Sequence, residues 1–280
     1  MSVNNLSSHF LKEHPKDAAR TLEQFEPENV AHYMENVPAK IAANVIKYIV
    51  PSFSAECLKL MAIDKSSQII MLLGVERASL LLRRMKSGIR VQFIRAMSPV
   101  FSNMTRLVLR YPAGTVGQVM NPNVFSVNQD MSVNEVINVI RKSSQLLHNE
   151  IFVTDEKQQL AGIIDVRLLL TADSNQQMKM IMNLPGVCIP ARASLDSIKS
   201  SSDWHYRENF PVIDHMGVFI GVLNRASVHE AMADEEDPKN QEEFTGTALA
   251  VAELFWDACA DLLAPEGENI NKGHQDERNK

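Results

Sequence analysis

The chain has 280 residues, of which 45% are apolar and 22% charged, the make-up of a folded protein with room for roughly two domains. Eleven glycines, 12 prolines and three cysteines exclude a collagen-like chain and a disulfide scaffold. The net charge of −6 is unevenly placed: residues 1–110 carry 15 basic and 9 acidic side chains, residues 111–233 carry 9 and 12, and residues 234–280 carry 4 and 13.

The amino terminus, MSVNNLSSHFLKEHPKD, is polar and reads as neither a signal peptide nor a myristoylation signal. It is expected to be flexible over residues 1–14. No run of about eighteen apolar residues occurs, so no membrane-spanning helix is expected. Cys57, Cys188 and Cys259 are odd in number and lack metal spacing. They read as buried thiols of a reducing cytosol, and the chain as cytoplasmic.

Residues 15–110 read as helix after helix. VAHYMENV, KIAANVIKYIV, SAECLKLMAI, SSQIIMLL, ASLLLRRMK and VQFIRAM place apolar residues at three- and four-residue spacing. Pro27, Pro38, Pro51 and Pro99 punctuate them. A weak self-similarity at an offset of 37 pairs Met34 with Met71, Lys40 with Arg77 and Pro27 with Asp64, the mark of a small helical superhelix. Arg83, Arg84, Lys86, Arg90 and Arg95 form the densest basic stretch. It is read as the solvated face of two helices, with the acidic tail as the alternative docking partner. Nucleic acid is not expected, since no aromatic residues are interleaved.

YPAGTVGQVMNP, rich in Gly and Pro, is read as a linker, 111–119. A β-α-β-β-α series then occurs twice, over residues 120–174 and 175–233. Ser132 with Glu135 forms a capping box before the first helix. The copies register at an offset of 59: Val153 with Val212, Asp155 with Asp214, Leu160 with Phe219, Gly162 with Gly221, Ile163 with Val222 and Ile164 with Leu223. Each Asp opens a turn, and each Gly permits close backbone approach within a strand. Residues 234–280 form an acidic tail, with an amphipathic helix predicted over 244–263. Leu254, Phe255 and Trp256 lie on that helix as a partner-binding surface. The predicted fold class is α+β: an all-helical superhelical domain, a duplicated β-α-β-β-α unit and a C-terminal amphipathic helix.

The histidines, His148, His205 and His215 among them, show no transition-metal spacing. Asp234 to Asp237 lacks the glycine turn of a calcium loop. No nucleophile elbow, phosphate-cradling loop or catalytic carboxylate pair is present, so an enzyme is not expected.

The duplicated unit resembles a pair of cystathionine-β-synthase (CBS) domains. The front segment, HPKDAARTLEQFEPENVAHYMENVPAKIAANVIKYI, followed by YP…GQVM, resembles the cytosolic region of the MgtE magnesium channels, without a channel segment in this sequence. The resemblance covers roughly residues 14–233. It implies a non-catalytic regulatory module that responds to a nucleotide or to Mg2+ through its CBS pair, associates as a homodimer and signals to a partner. The alternatives are a ligand-independent adaptor, or the cytosolic regulatory component of a separately encoded magnesium transporter. It also implies that acidic faces of the two domains hold Mg2+ between them. Asp173 matches an acid of that family, but Ala113 and Gly114 stand where the family carries linker acids, and Lys65 and Ser66 follow Asp64. The family's adenine-nucleotide motif reads Gly162-Ile-Ile-Asp165-Val-Arg-Leu168 in the first copy, where the usual hydroxyl is an acid that repels phosphate. In the second it reads Gly221-Val-Leu-Asn224-Arg-Ala-Ser227. The second cleft, with Pro211, Asn224, Arg225 and Ser227, is the better candidate.

Overall fold

A computed structural model describes residues 9–142, 149–199, 204, 208–228 and 231. Residues 9–13 are helical and Leu11 is buried in the core, which corrects the expectation of a flexible start for that stretch. Eight helices follow: α1 Pro15–Leu22, α2 Pro27–Asn36, α3 Ala39–Ile46, α4 Pro51–Leu60, α5 Ile63–Leu72, α6 Val75–Arg83, α7 Ser87–Ala96 and α8 Pro99–Leu109. Their first residues are twelve apart throughout. Proline occupies the first turn of α1, α2, α4 and α8, where its missing N–H costs no helical bond. Each helix packs on the next but one, α1 on α3 through to α6 on α8, which winds the array into a superhelix. Leu58, Ile69, Ile70, Leu81 and Leu82 lie fully buried in its core.

The true step corrects the offset of 37. Three helices span 36 residues, so Met71 is the counterpart of Glu35, not of Met34. The hydrogen bonds confirm this. Glu35 Oε1 accepts the N–H of Ala62 ahead of α5, and the Met71 sulfur accepts the N–H of Ser98 ahead of α8. Two helices, α1 and α8, were absent from the apolar periods named above. Both start at a proline and carry polar residues inside the period.

The segment read as a linker is packed. It contains a short helix, α9 Val116–Val119, whose Val116 and Val119, with Met120, enter the core of the second sheet. Two three-stranded sheets follow. The first joins β1 Ser126–Asn128, β2 Glu150–Thr154 and β3 Leu160–Asp165; the second joins β4 Ile189–Pro190, β5 Asn209–Ile213 and β6 Phe219–Asn224. In each sheet the first strand pair is parallel and the second antiparallel. Helices α10 Val133–Lys142, α11 Val166–Thr171, α12 Met178–Ile181 and α13 Leu195–Lys199 complete the units.

The offset of 59 holds in three dimensions. Val153 pairs Gly162 and Val212 pairs Gly221, and the register shifts one residue later in both hairpins. Asp155 Oδ1 accepts the N–H groups of Lys157 and Gln159; Asp214 Oδ1 accepts those of Met216 and Val218. The capping box is present: Glu135 Oε2 accepts Ser132 N–H at 2.7 Å and Ser132 Oγ accepts Glu135 N–H at 3.3 Å.

The units exchange segments. Asn121, ahead of the first sheet, bridges Val222 of the second; Asn183, ahead of the second, bridges Ile163 of the first. Phe152 and Phe219 stack between the sheets with centroids 5.0 Å apart. A further apolar cluster binds the helical array to the second sheet: Val75 and Val108 pack with Val116, Ile189, Phe210 and Leu223. The helical array and the second of the duplicated units thus share a core.

Candidate functional site

Each duplicated unit ends its last strand at a polar residue that starts a helix or helical turn. In the first unit this is Asp165. Its Oδ1 accepts the N–H of Arg167 at 2.8 Å, and its Oδ2 meets the Arg167 guanidinium at 2.5 Å. The guanidinium contact and the N-cap bond hold the carboxyl down at about 2. Asp165 thus remains an anion and is satisfied locally. In the second unit the same position is Asn224, whose Oδ1 accepts the N–H groups of Ala226 and Ser227 at 2.7 and 3.2 Å. Its amide is neutral, so an approaching phosphate meets no repulsion from it.

The remaining candidates do not converge on one cleft. Pro211 is buried within β5, opposite Val222. Arg225 donates to the carbonyl of Trp204 at 3.5 Å, and its own N–H donates to the Glu208 carbonyl. Ser227 faces the helical array: with Glu76, Arg77, Leu80 and Gln118 it lines a cavity of about 50 Å3. No sequence signal joins α6 to Ser227, because the chain positions are about 150 apart. Asp173 is exposed, and its Oδ1 accepts the N–H of Asn175 at 3.0 Å in a tight turn. Among the described residues no three His, Cys, Asp or Glu side chains converge. Leu254, Phe255, Trp256, His148, His205, Cys259, the run Asp234 to Asp237 and the predicted helix 244–263 lie outside the described residues.

The basic stretch is a correction. It is not simply a solvated face. Arg83 donates to the carbonyls of Val108 and Tyr111 at 2.9 and 2.7 Å, and Arg90 donates to those of Leu82, Arg83 and Met85. Burial and the neighbouring Arg90 lower the Arg83 pKa. These cations cap helix C-termini, where carbonyls lack partners, and Arg83 fastens α6 to the chain leaving α8.

A superhelical array followed by a duplicated sheet-and-helix unit, with segments exchanged between the copies, defines a CBS-pair protein with a helical amino-terminal domain. Residues 13–114 match the "MgtE intracellular N domain" and residues 116–175 the "CBS domain", so the chain has the build of the cytosolic region of MgtE-type magnesium transporters. Both matched families are regulatory rather than catalytic. The magnesium transporter MgtE of Thermus thermophilus is 26% identical over 129 residues, 45% of this chain and 28% of that protein. An inosine-5'-monophosphate dehydrogenase of Nitrosopumilus maritimus is 26% identical over 151 residues, 52% of this chain and 31% of that one. These matches take in less than a third of either relative. The crystal structure of the cytosolic domain of the Mg2+ channel MgtE in complex with ATP superposes with a TM-score of 0.70 at 23% identity, over 80% of this chain and 92% of that one, a likeness of fold. No helix among the described residues is long and apolar enough to cross a membrane.

Proposed function

We propose that this chain is a non-catalytic regulatory module acting on a magnesium-transporting membrane protein, and that it responds to an adenine nucleotide at the second CBS unit. The observation that carries this reading is the path from Asn224 to the helical array. Asn224 caps the turn that follows it, and Ser227 in that turn lines a cavity against α6. A ligand that engages the Asn224 amide or Arg225 lies one helical turn from the array. Because the array and the second sheet share the cluster around Val75 and Val108, a shift in one is carried into the other rather than absorbed by a loose linker.

Magnesium enters this reading as the cargo of the partner. The first cleft is the weaker nucleotide site because the Asp165 anion opposes phosphate. Titration calorimetry with ATP tests the reading. Saturable binding is expected, lost by about tenfold or more in Asn224→Asp and retained in Asp165→Asn. Absence of binding, or indifference to Asn224→Asp, would refute it. The ligand-independent adaptor is favoured by one observation, the complete local pairing of Asp165 with Arg167. Association as a homodimer through the CBS pair belongs to the same proposal and is read by light scattering.

A further inference from the structure

A second cavity, of about 400 Å3, lies where the end of α8 meets the second CBS unit. Its polar lining is Arg110 and Tyr111 from the helical side, and Arg192, Asp214 and His215 from the CBS side. Leu107 and Ile220 supply apolar wall. That volume is within the range of small-molecule sites, which combine apolar walls with a few placed polar groups.

The charges in this lining are unequally engaged. Asp214 Oδ1 already accepts the N–H groups of Met216 and Val218 at 2.8 and 2.9 Å, which commits it to the β5–β6 turn. The guanidinium groups of Arg110 and Arg192 have neither a hydrogen bond nor an ion pair among the described residues. Two cations therefore face one occupied carboxylate. All three line the same cavity beside Tyr111, whose phenol pKa is raised by burial and Asp214 and lowered by Arg192 and Arg110. The wall is also fixed. The Tyr111 ring lies over Gly117, where a Cβ would stand 2.3 Å from it, and the Tyr111 carbonyl is held by Arg83.

We propose that this cavity binds a small organic anion bearing a phosphate or diphosphate group, clamped between Arg110 of the helical array and Arg192 of the second CBS unit. Guanidinium groups recognise phosphate through paired, charge-assisted hydrogen bonds. The apolar wall receives the organic part. The site is separate from the Asn224 cleft: Asn209 and Asn224 face each other at one end of the β5–β6 hairpin, and Asp214 lies at the other, about 16 Å along the strand. A ligand here ties the two domains together at a point that the Asn224 cleft does not touch.

Titration of the full chain with phenyl phosphate and with inorganic pyrophosphate at low ionic strength tests the assignment. Saturable binding is expected, weakened about tenfold or more by Arg192→Gln and by Arg110→Gln, partly kept by Arg192→Lys, and unchanged by Asn224→Asp. Both arginines are exposed, so folding is expected to survive, and circular dichroism checks it. The proposal is overturned by absence of saturable binding, by equal affinity in the arginine variants, by loss in Asn224→Asp, or by binding only of a synthetic peptide of residues 234–243. Because the two clefts are addressed by different variants, failure here is distinguishable from failure of the nucleotide reading.

Discussion

Gly221 lies against the carbonyl of Asn121: a Cβ at Gly221 would stand 2.6 Å from that oxygen. The contact is backbone on backbone, because Asn121 forms a bridge with Val222 in both directions, N–H to carbonyl. Gly162 repeats the arrangement with Asn183, whose carbonyl is 2.8 Å from the corresponding Cβ, and with the Met182 sulfur at 2.5 Å. Gly221→Ala is expected to destabilise by about 1–3 kcal/mol through overpacking. Gly162→Ala is expected to cost less, since part of its clash is with the flexible Met182 side chain. Urea melts of the two variants read the order directly, and a neutral Gly221→Ala would contradict the exchanged-segment packing.

The superhelix carries its own capping scheme. Glu23 accepts the N–H of Val50, and Glu35, twelve residues on, accepts that of Ala62. In return Lys65 donates to the Val37 carbonyl and Arg77 to that of Ile49, again twelve residues apart. Carboxylates thus sit at helix N-termini and cations at C-termini, each in its favoured end of the helix dipole. Val50 and Ala62 have no side-chain cap of their own. Loss of a cap of this kind costs about 0.5–2 kcal/mol. Glu35→Ala should fall in that range in thermal denaturation, with Glu35→Gln intermediate because its amide oxygen still accepts.

Asp165 provides a pH signature. Its carboxyl titrates at about 2 in the folded chain, against an ordinary value of 3.8. A depressed folded pKa contributes stability above the unfolded value, and that contribution is lost as pH falls through the folded one. The window therefore runs from about pH 5 down to about pH 2. Since the Asp165 side chain is open to solvent, screening by salt keeps the effect small. Asp165→Asn should show a shallower loss of stability across that window at low ionic strength. Parallel acid titrations of the two proteins check this, and superimposable profiles would contradict it.

The two described cysteines are expected to differ in reactivity. Burial pushes the Cys57 thiol up to about 12, so almost no thiolate forms at neutral pH. Cys188 is only half-buried. A thiol reagent at pH 8 should modify Cys188 in the native state and reach Cys57 only after unfolding, by mass spectrometry of digested protein. The raised Cys57 pKa also means that stability falls as pH rises from about 9 towards 12, because the unfolded chain releases the proton first.

Val108 is fully buried within the cluster that spans the helical array and the second CBS sheet. A shared core predicts one cooperative melting transition for both. Val108→Asp buries a charge without a partner, and calorimetry should then show the domains unfolding separately. Two transitions in the unaltered protein would deny the coupling on which transmission from Asn224 depends.

Much of this architecture was legible because it is written locally and twice. The 59-residue correspondence of Asp155 with Asp214 and Gly162 with Gly221 predicts turns and strand contacts that the hydrogen bonds reproduce. The capping box at Ser132 and Glu135 is legible for the same reason: its partners are three residues apart. The helical period was less so. Its twelve-residue step is carried by caps such as Glu35 to Ala62, whose partners lie 27 residues apart, and Met71 in a Glu position hides the equivalence.

The sequence by itself determined six of the eight superhelical helices, the duplication and the neutral Asn224 where its counterpart Asp165 is charged. These depend on residue type and short spacing. Only the tertiary structure decided that GTVGQVM is core rather than linker, that Arg83 is a cap rather than a solvated charge, and that Arg110 and Arg192 share a cavity. Each of those depends on groups brought together across tens of residues by apolar burial, a force that has no direction and so leaves no local pattern to read.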